Sequence, residues 1–341
     1  KDEGVKFVIY PSVDEDRLAK IRSTVEHWTV VNADSEDSAS QAIQDADCFF
    51  GKITPRLLSR SSRLKWIQSP TASLEHYIFP ELTTHPAVLT NMRGLFSDVI
   101  ADHVMGYILC FARQLATYIR QQSQAKWAPV GGEAGRSDFK SGPGQVSPID
   151  LKHCQLQTQT VGIVGLGEIG QELTRRAAAF GMNVVGVDPR EDLRGIIDLP
   201  ELSEVWKPKD LNQLLEVADY VVVAAPHTPE TVGMFACDQF QAMKSDAILI
   251  NIGRGALVRL DDLVTSLRQG EIGGAALDVY EIEPLPQSHP LWAMENVILT
   301  PHIAGYAPCI AERHLGVVLE NVRAFDQGAP LQNRVNKTLW Y

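Results

Sequence analysis

Residues 161–170 read VGIVGLGEIG, a short apolar run that passes straight into Gly165-x-Gly167-x-x-Gly170. A helical pattern opens behind the glycines, with Ile169, Leu173, Ala177 and Phe180 on one face, and a second apolar run, 184–187, ends at Asp188. Strand, glycine turn, helix, strand and acid, in that order, is the arrangement that binds a dinucleotide. The first glycine permits the tight turn, the second lets the backbone approach a pyrophosphate, and the third lets helix and strand pack closely. The helix start at Glu168 and Ile169 offers backbone N–H groups and a partial positive charge to the phosphates. Asp188 is placed to accept from a ribose diol and would repel a 2′-phosphate, which favours NAD. Arg190, two residues on, could hold such a phosphate; it is read here as a solvated loop arginine.

The 341 residues are material for two domains, each with its own core. A net charge of −11 without any dense Lys/Arg cluster argues against a nucleic-acid or anionic-membrane partner. No apolar run approaches the ~18 residues of a membrane span. The opening KDEGVKFVIY enters a strand at once, so no signal peptide is expected. Cys48, Cys110, Cys154, Cys237 and Cys309 are far apart and show no metal-type pairing. They are expected to be mostly buried free thiols of a cytoplasmic protein, and no metal site is expected.

Apolar runs at 5–9, 29–31, 48–50, 65–67 and 87–89 predict strands, alternating with helices at 14–25, capped by Ser12, and 55–58. One long helix is expected over 97–122, and the Gly-, Pro- and Ser-rich stretch 128–148 reads as an exposed linker. Further strands are predicted at 220–224, 247–251, 274–277 and 297–299, and a last helix over 308–327. The pattern is that of parallel α/β units.

Three stretches follow predicted strands and carry reactive side chains. In Asn251-Ile252-Gly253-Arg254-Gly255 an arginine, the natural bidentate partner of a carboxylate, stands where α/β sheets bind ligands, although a surface loop arginine would look the same. Residues 278–286, DVYEIEPLP, offer the carboxylates Asp278, Glu281 and Glu283. Residues 299–305, LTPHIAG, place His302 beside a proline, and a histidine with a carboxylate partner is the usual general acid/base unit near neutral pH.

Together these stretches resemble the D-isomer-specific 2-hydroxyacid dehydrogenase family. The pieces are VGIVGLGEIG, the aspartate of VGVDPR, APHTPET at 225–231, INIGRGALV at 250–258, AALDVYEIEPLP at 275–286 and PLWAMENVILTPHIAG at 290–305. The resemblance implies that Arg254 binds the substrate carboxylate and polarises its keto oxygen. It further implies that Glu283 pairs with His302, that His302 is the general acid/base, and that Asp278, Pro226 and Thr231 line the cofactor. The chain departs from the family's glycine-rich substrate loop: residues 69–75 are SPTASLE, so Ala72, Ser73 and Leu74 become the substrate-loop candidates. Arg93 could meet a second anionic group, though it also reads as a surface arginine.

The expected protein is α/β, with two Rossmann-like parallel-sheet domains and an active-site cleft between them. Residues 1–122 and 306–341 are expected to form a discontinuous substrate domain around a cofactor domain at 123–305. The expected chemistry is NAD-dependent interconversion of a small 2-oxo acid and its (R)-2-hydroxy acid, in a homodimer by resemblance. A non-enzymatic NAD-sensing corepressor and a short-form phosphoglycerate dehydrogenase are the alternatives, while Glu283 argues against a formate dehydrogenase, which would carry glutamine there.

Overall fold

The computed structural model describes residues 4–136, 144–190 and 198–340, so residues 137–143 of the linker-like stretch lie outside the described residues. The chain divides into two compact units, Lys1–Leu95 with Ala307–Tyr341, and Phe96–Tyr306. The 97–122 region expected in the first domain therefore falls in the second unit. It is also two helices, Ser97–Ala112 and Leu115–Ser123, because Gln114 adopts a left-handed conformation (φ 57°) and breaks the run. Ala101, Val104 and Ile108 share a core cluster with Leu173 and Ala177 of helix Glu168–Ala179, which explains their assignment to this unit.

The first unit holds five parallel strands, β1 (Lys6–Tyr10), β2 (Thr29–Asn32), β3 (Cys48–Gly51), β4 (Trp66–Gln68) and β5 (Val88–Thr90), in the order β2-β1-β3-β4-β5. Its first helix, Glu15–Thr24, is capped by Asp14, whose carboxylate accepts the Arg17 N–H at 3.0 Å, and not by Ser12. The returning helix Ile310–Asp326 is fixed by buried Asn321, which donates to Gln68 Oε1 at 2.9 Å and accepts the Gln332 N–H at 2.7 Å.

The second unit holds seven parallel strands: β6 (Thr160–Val164), β7 (Asn183–Val187), β8 (Leu202–Trp206), β9 (Tyr220–Val223), β10 (Ile248–Asn251), β11 (Gly274–Leu277) and β12 (Val297–Leu299). Their order is β12-β11-β10-β9-β6-β7-β8. Sequence patterning missed β8 because it is an edge strand with exposed Ser203 and Glu204. The inner strands bury both faces. Val161, Ile163, Tyr220, Val222, Ile248 and Ile250 face one core cluster, and Val221, Val223 and Leu249 face the other. That is why they read as unbroken apolar runs rather than alternating ones.

Strand order reverses between β6 and β9, which opens a crevice at the strands' carboxyl ends. The register makes that edge straight: Leu299 pairs with Leu277, Leu277 with Asn251, Asn251 with Val223, Val223 with Val164 and Val164 with Val187. Six loops thus leave the sheet from one row. Among the described residues no helix is long and apolar enough to cross a membrane. The five cysteines are free, but only Cys48 is buried and Cys154 is exposed, so mostly buried thiols were the wrong expectation.

Candidate active site

The loop after β6 is built around its glycines. Gly165 sits at φ +98°, and a Cβ there would lie 2.8 Å from Ala225 N. A Cβ on Gly170 would lie 2.2 Å from Gly165 O, so only glycine allows this helix to start against its strand. Gly167 is the N-cap of helix Glu168–Ala179 and, in contrast, meets nothing within 4 Å. Open space over a glycine at a helix N-terminus fits a pyrophosphate, so Gly167, Glu168 and Ile169 are the residues that would hold one.

At the end of β7, Asp188 is buried and its carboxylate is already filled. Oδ2 accepts from the Leu166 N–H at 2.9 Å and Arg190 Nη2 at 3.0 Å, while Oδ1 accepts from Arg190 Nε at 2.8 Å and the Arg190 N–H at 3.1 Å. Arg190 Nη2 also donates to Leu166 O at 2.7 Å. Arg190 is therefore a half-buried partner of Asp188 and not a solvated loop arginine. Burial pushes the Asp188 carboxyl up, but the Arg190 and Leu166 hydrogen bonds outweigh it and hold the group below its ordinary 3.8. After β9, the Thr231 hydroxyl closes the turn by donating to Pro226 O at 2.7 Å and accepting the Thr228 N–H at 2.9 Å.

After β10, buried Asn251 shapes the arginine turn, donating to Arg254 O at 3.0 Å and accepting the Gly253 N–H at 3.1 Å. Arg254 is extended (φ −141°, ψ 148°), and its Nη1 donates to Gly253 O at 2.8 Å.

The three carboxylates after β11 separate by partner. Glu281 accepts the Leu260 N–H at 2.7 Å and so caps helix Leu260–Gln269. Asp278 is buried and takes the N–H groups of Ile303 and Ala304, each at 2.9 Å. Glu283 accepts the Tyr280 N–H on Oε1 at 2.9 Å and meets His302 Nδ1 with Oε2 at 2.7 Å. An acceptor-only carboxylate on Nδ1 calls for an N–H at that nitrogen, which leaves Nε2 as the ring nitrogen not engaged by Glu283. His302 has φ +52°, a left-handed conformation uncommon for a residue with a side chain.

The substrate-loop candidates belong to the first unit, after β4 and β5. Leu74 is 2% exposed in that unit's core, so its side chain is a packing residue. Ala72 O and Ser73 O accept from Asn91 Nδ2 at 2.8 Å and Thr71 Oγ1 at 2.6 Å. Arg93 is exposed, and its N–H donates to Asn91 Oδ1 at 3.2 Å. The loop-bracing roles of Asn91, Asn251, Thr71 and Arg190 were not read from the sequence. Asn251 and Arg190 stand within stretches quoted as motifs, and that position was the available signal.

Residues 105–304 match the model of the D-isomer specific 2-hydroxyacid dehydrogenase, NAD binding domain. The chain belongs to that family. It is 30% identical to a D-3-phosphoglycerate dehydrogenase of Methanocaldococcus jannaschii over 97% of this chain, and spans only 59% of that relative's length. It is 31% identical to a glyoxylate reductase of Thermofilum pendens, over 89% of this chain and 85% of that one. A solved D-isomer specific 2-hydroxyacid dehydrogenase of Xanthobacter autotrophicus Py2, in complex with NADPH and MES, has a TM-score of 0.79 at 25% identity, covering 99% and 100% of the two chains. The protein is thus an oxidoreductase with an NAD-binding domain, and the glycine turn, Arg254, Glu283 and His302 all stand in the second unit on loops that leave one edge of its sheet.

The Asp188–Arg190 pair gives the first expectation. A carboxyl lowered on folding adds stability above its ordinary value and loses it as pH falls through the folded value. Asp188→Asn should therefore melt below wild type at neutral pH, with the Tm gap closing below about 3.8. A gap that persists unchanged into strong acid would mean that the ion pair is not what holds this loop.

Proposed function

We propose that the protein reduces a small 2-oxo acid to its (R)-2-hydroxy acid, and the reverse, with NADH as hydride donor. The observation that carries this reading is the His302 Nδ1–Glu283 Oε2 contact of 2.7 Å, on loops that leave the same edge as Arg254 and the glycine turn. A bound dihydronicotinamide would supply the hydride to the keto carbon. His302 gives its Nε2 proton to the nascent alkoxide oxygen, and Glu283 stabilises the imidazolium beforehand and accepts the Nδ1–H throughout. In the reverse direction neutral His302 takes the hydroxyl proton. Arg254 binds the substrate carboxylate and polarises the carbonyl, so the chain's share is orientation and charge placement. Asp278, Pro226 and Thr231 remain the proposed cofactor contacts, and Ala72, Ser73 and Arg93 the proposed substrate contacts. Five free cysteines support a reducing, cytoplasmic setting.

Relatives named glyoxylate reductase and glyoxylate/hydroxypyruvate reductase B favour a two- or three-carbon substrate. In an NADH-oxidation screen, glyoxylate or hydroxypyruvate is expected to give the highest kcat/KM, ahead of aromatic acids and dicarboxylates. Arg254→Ala should lower kcat/KM on the best substrate by at least about 10²-fold, the scale of losing a buried charge-assisted contact of ~3 kcal/mol. Binding of NADH, followed by its fluorescence, should hold. A variant with near-normal kcat/KM would return Arg254 to the role of a loop residue.

NADH over NADPH is supported by two features of the Asp188 loop. The carboxylate keeps its charge where a 2′-phosphate would come, and Arg190 is engaged by Asp188 and Leu166 rather than offered to a phosphate. The expected preference in kcat/KM is about tenfold or more, one interaction of ~1.4 kcal/mol. Asp188→Ala should release Arg190 and narrow it. Equal use by the wild type would overturn the assignment.

A homodimer is proposed on the described residues of 115–136 and 144–151, where Leu115, Ile119, Trp127, Val146 and Leu151 are exposed apolar side chains of the second unit. Light scattering should give twice the chain mass, and Ile119→Asp should shift it toward the monomer. A monomeric wild type at micromolar concentration would sink this part.

A further inference from the structure

The helix Ser97–Ala112 sends two polar side chains to the strand end that carries His302. His103 Nε2 lies 3.2 Å from Thr300 Oγ1, and the Tyr107 hydroxyl is hydrogen-bonded to the same oxygen. Thr300 Oγ1 in turn lies 2.5 Å from Asp278 Oδ1. A hydroxyl has one proton to give and two lone pairs. Asp278, as a carboxylate, only accepts, so Thr300 must donate to it and both lone pairs must be used by Tyr107 O–H and His103 Nε2–H. Burial lowers the pKa of His103 despite the nearby Asp278 charge, in keeping with a neutral ring that donates through Nε2. His103 and Tyr107 also hold each other, ring edge to face at 4.6 Å. All the hydrogen bonds therefore run one way, from Tyr107 and His103 through Thr300 into Asp278.

The far side of that carboxylate holds the histidine turn. The Ile303 and Ala304 N–H groups, the first two after His302, both end on Asp278. The His302 N–H donates back to Thr300 O at 3.1 Å. Tyr280 Oη reaches Thr300 O at 2.8 Å and Leu277 O at 2.9 Å, which ties the ends of β11 and β12 together. His302 keeps φ +52° only while the peptide on either side is anchored.

We infer that Thr300 is a positioning residue for the proton transfer. Its hydroxyl, loaded from behind by Tyr107 and His103, fixes the Asp278 carboxylate so that the carboxylate holds His302 in the left-handed turn that aims its ring at Glu283. The inference rests on the reading of His302 as general acid/base. Thr300 acts on the proton transfer through the His302 turn, any effect on the cofactor contact proposed for Asp278 being read separately as KM for NADH, and loosening the turn lowers the rate of the chemical step without touching the arginine that binds substrate.

The test is a double-mutant cycle in the full chain, with glyoxylate or the best acid from the screen. Thr300→Val keeps the shape and removes the hydroxyl. It should lower kcat for reduction by about tenfold or more, within the 10²–10⁴-fold worth of the acid itself, and leave KM for the 2-oxo acid within about threefold. Thr300→Ser should recover most of the loss. In the His302→Ala background at saturating NADH, Thr300→Val should cost nothing further, because the ring whose turn it positions is gone. Tyr107→Phe, which keeps Thr300 and removes one of its two donors, should lower kcat by about two- to fivefold and be equally silent in His302→Ala; this arm decides if Thr300→Val does not fold. An equal loss in both backgrounds, no rescue by serine, or a rise in KM with kcat unchanged would overturn the positioning role. Near-normal kcat in His302→Ala alone would instead overturn the acid/base reading beneath it.

Discussion

Parallel pairing in register is the constraint on which the rest of the second unit depends. Six neighbouring strands end on one row, from Leu299 through Asn251 to Val187, so the chain must leave the sheet six times along one line. Parallel strands need crossovers, and covering both faces with helices forces inner strands to be apolar throughout. Polar chemistry is thereby expelled from the strands and concentrated in the first residues after them. Asp188, Asn251 and Asp278 each lie within one residue of a strand's end or at it, and each is at most 4% exposed. They organise the loops by accepting backbone N–H groups from the turn that follows or the one beside it.

Within this edge, residue type alone does not decide what a carboxylate does. Asp188, Asp278, Glu281 and Glu283 carry the same functional group and have four different sets of partners. One is filled by an arginine and a loop N–H, one clamps two consecutive peptides, one caps a helix, and one meets a histidine ring. Of the four, only Glu283 has an oxygen committed to a histidine ring. The selection comes from the backbone: Tyr280 N–H holds Glu283 Oε1, which leaves Oε2 aimed at the ring.

The strands of both sheets were legible because buried parallel strands are short apolar runs, and the glycine turn was legible because its constraints are steric and local. Arg254, Glu283 and His302 were legible as a set of motifs after strands. The failures share a cause. Edge strand β8 lacks a buried second face, so its sequence LSEVW carries no strong pattern. The break at Gln114 has no glycine or proline to announce it. Arg190 looked solvated because its partner was assigned to the ribose, and Thr300 and Tyr107 are ordinary residues whose 193-residue separation in sequence hides their contact. Long-range hydrogen bonds between polar side chains leave no periodicity, and a single sequence does not reveal them.

Two left-handed positions show how the loop chemistry selects its residues. Where the backbone must turn tightly at the end of β6, Gly165 takes φ +98° with no side chain to strain. After β12 the chain places a histidine, His302, at φ +52° and meets the cost elsewhere. A non-glycine residue in that region costs about 1–3 kcal/mol. Two N–H donors on a buried carboxylate contribute about 1.5–3 kcal/mol each. The Asp278 clamp is therefore large enough to hold the turn, provided its own orientation is fixed. An unanchored carboxylate could rotate and lose one donor, which brings the balance near zero. The Thr300 hydroxyl removes that freedom, and the proton-transfer geometry at His302 then follows from a hydrogen-bond chain that begins on a helix more than a hundred residues away in the sequence.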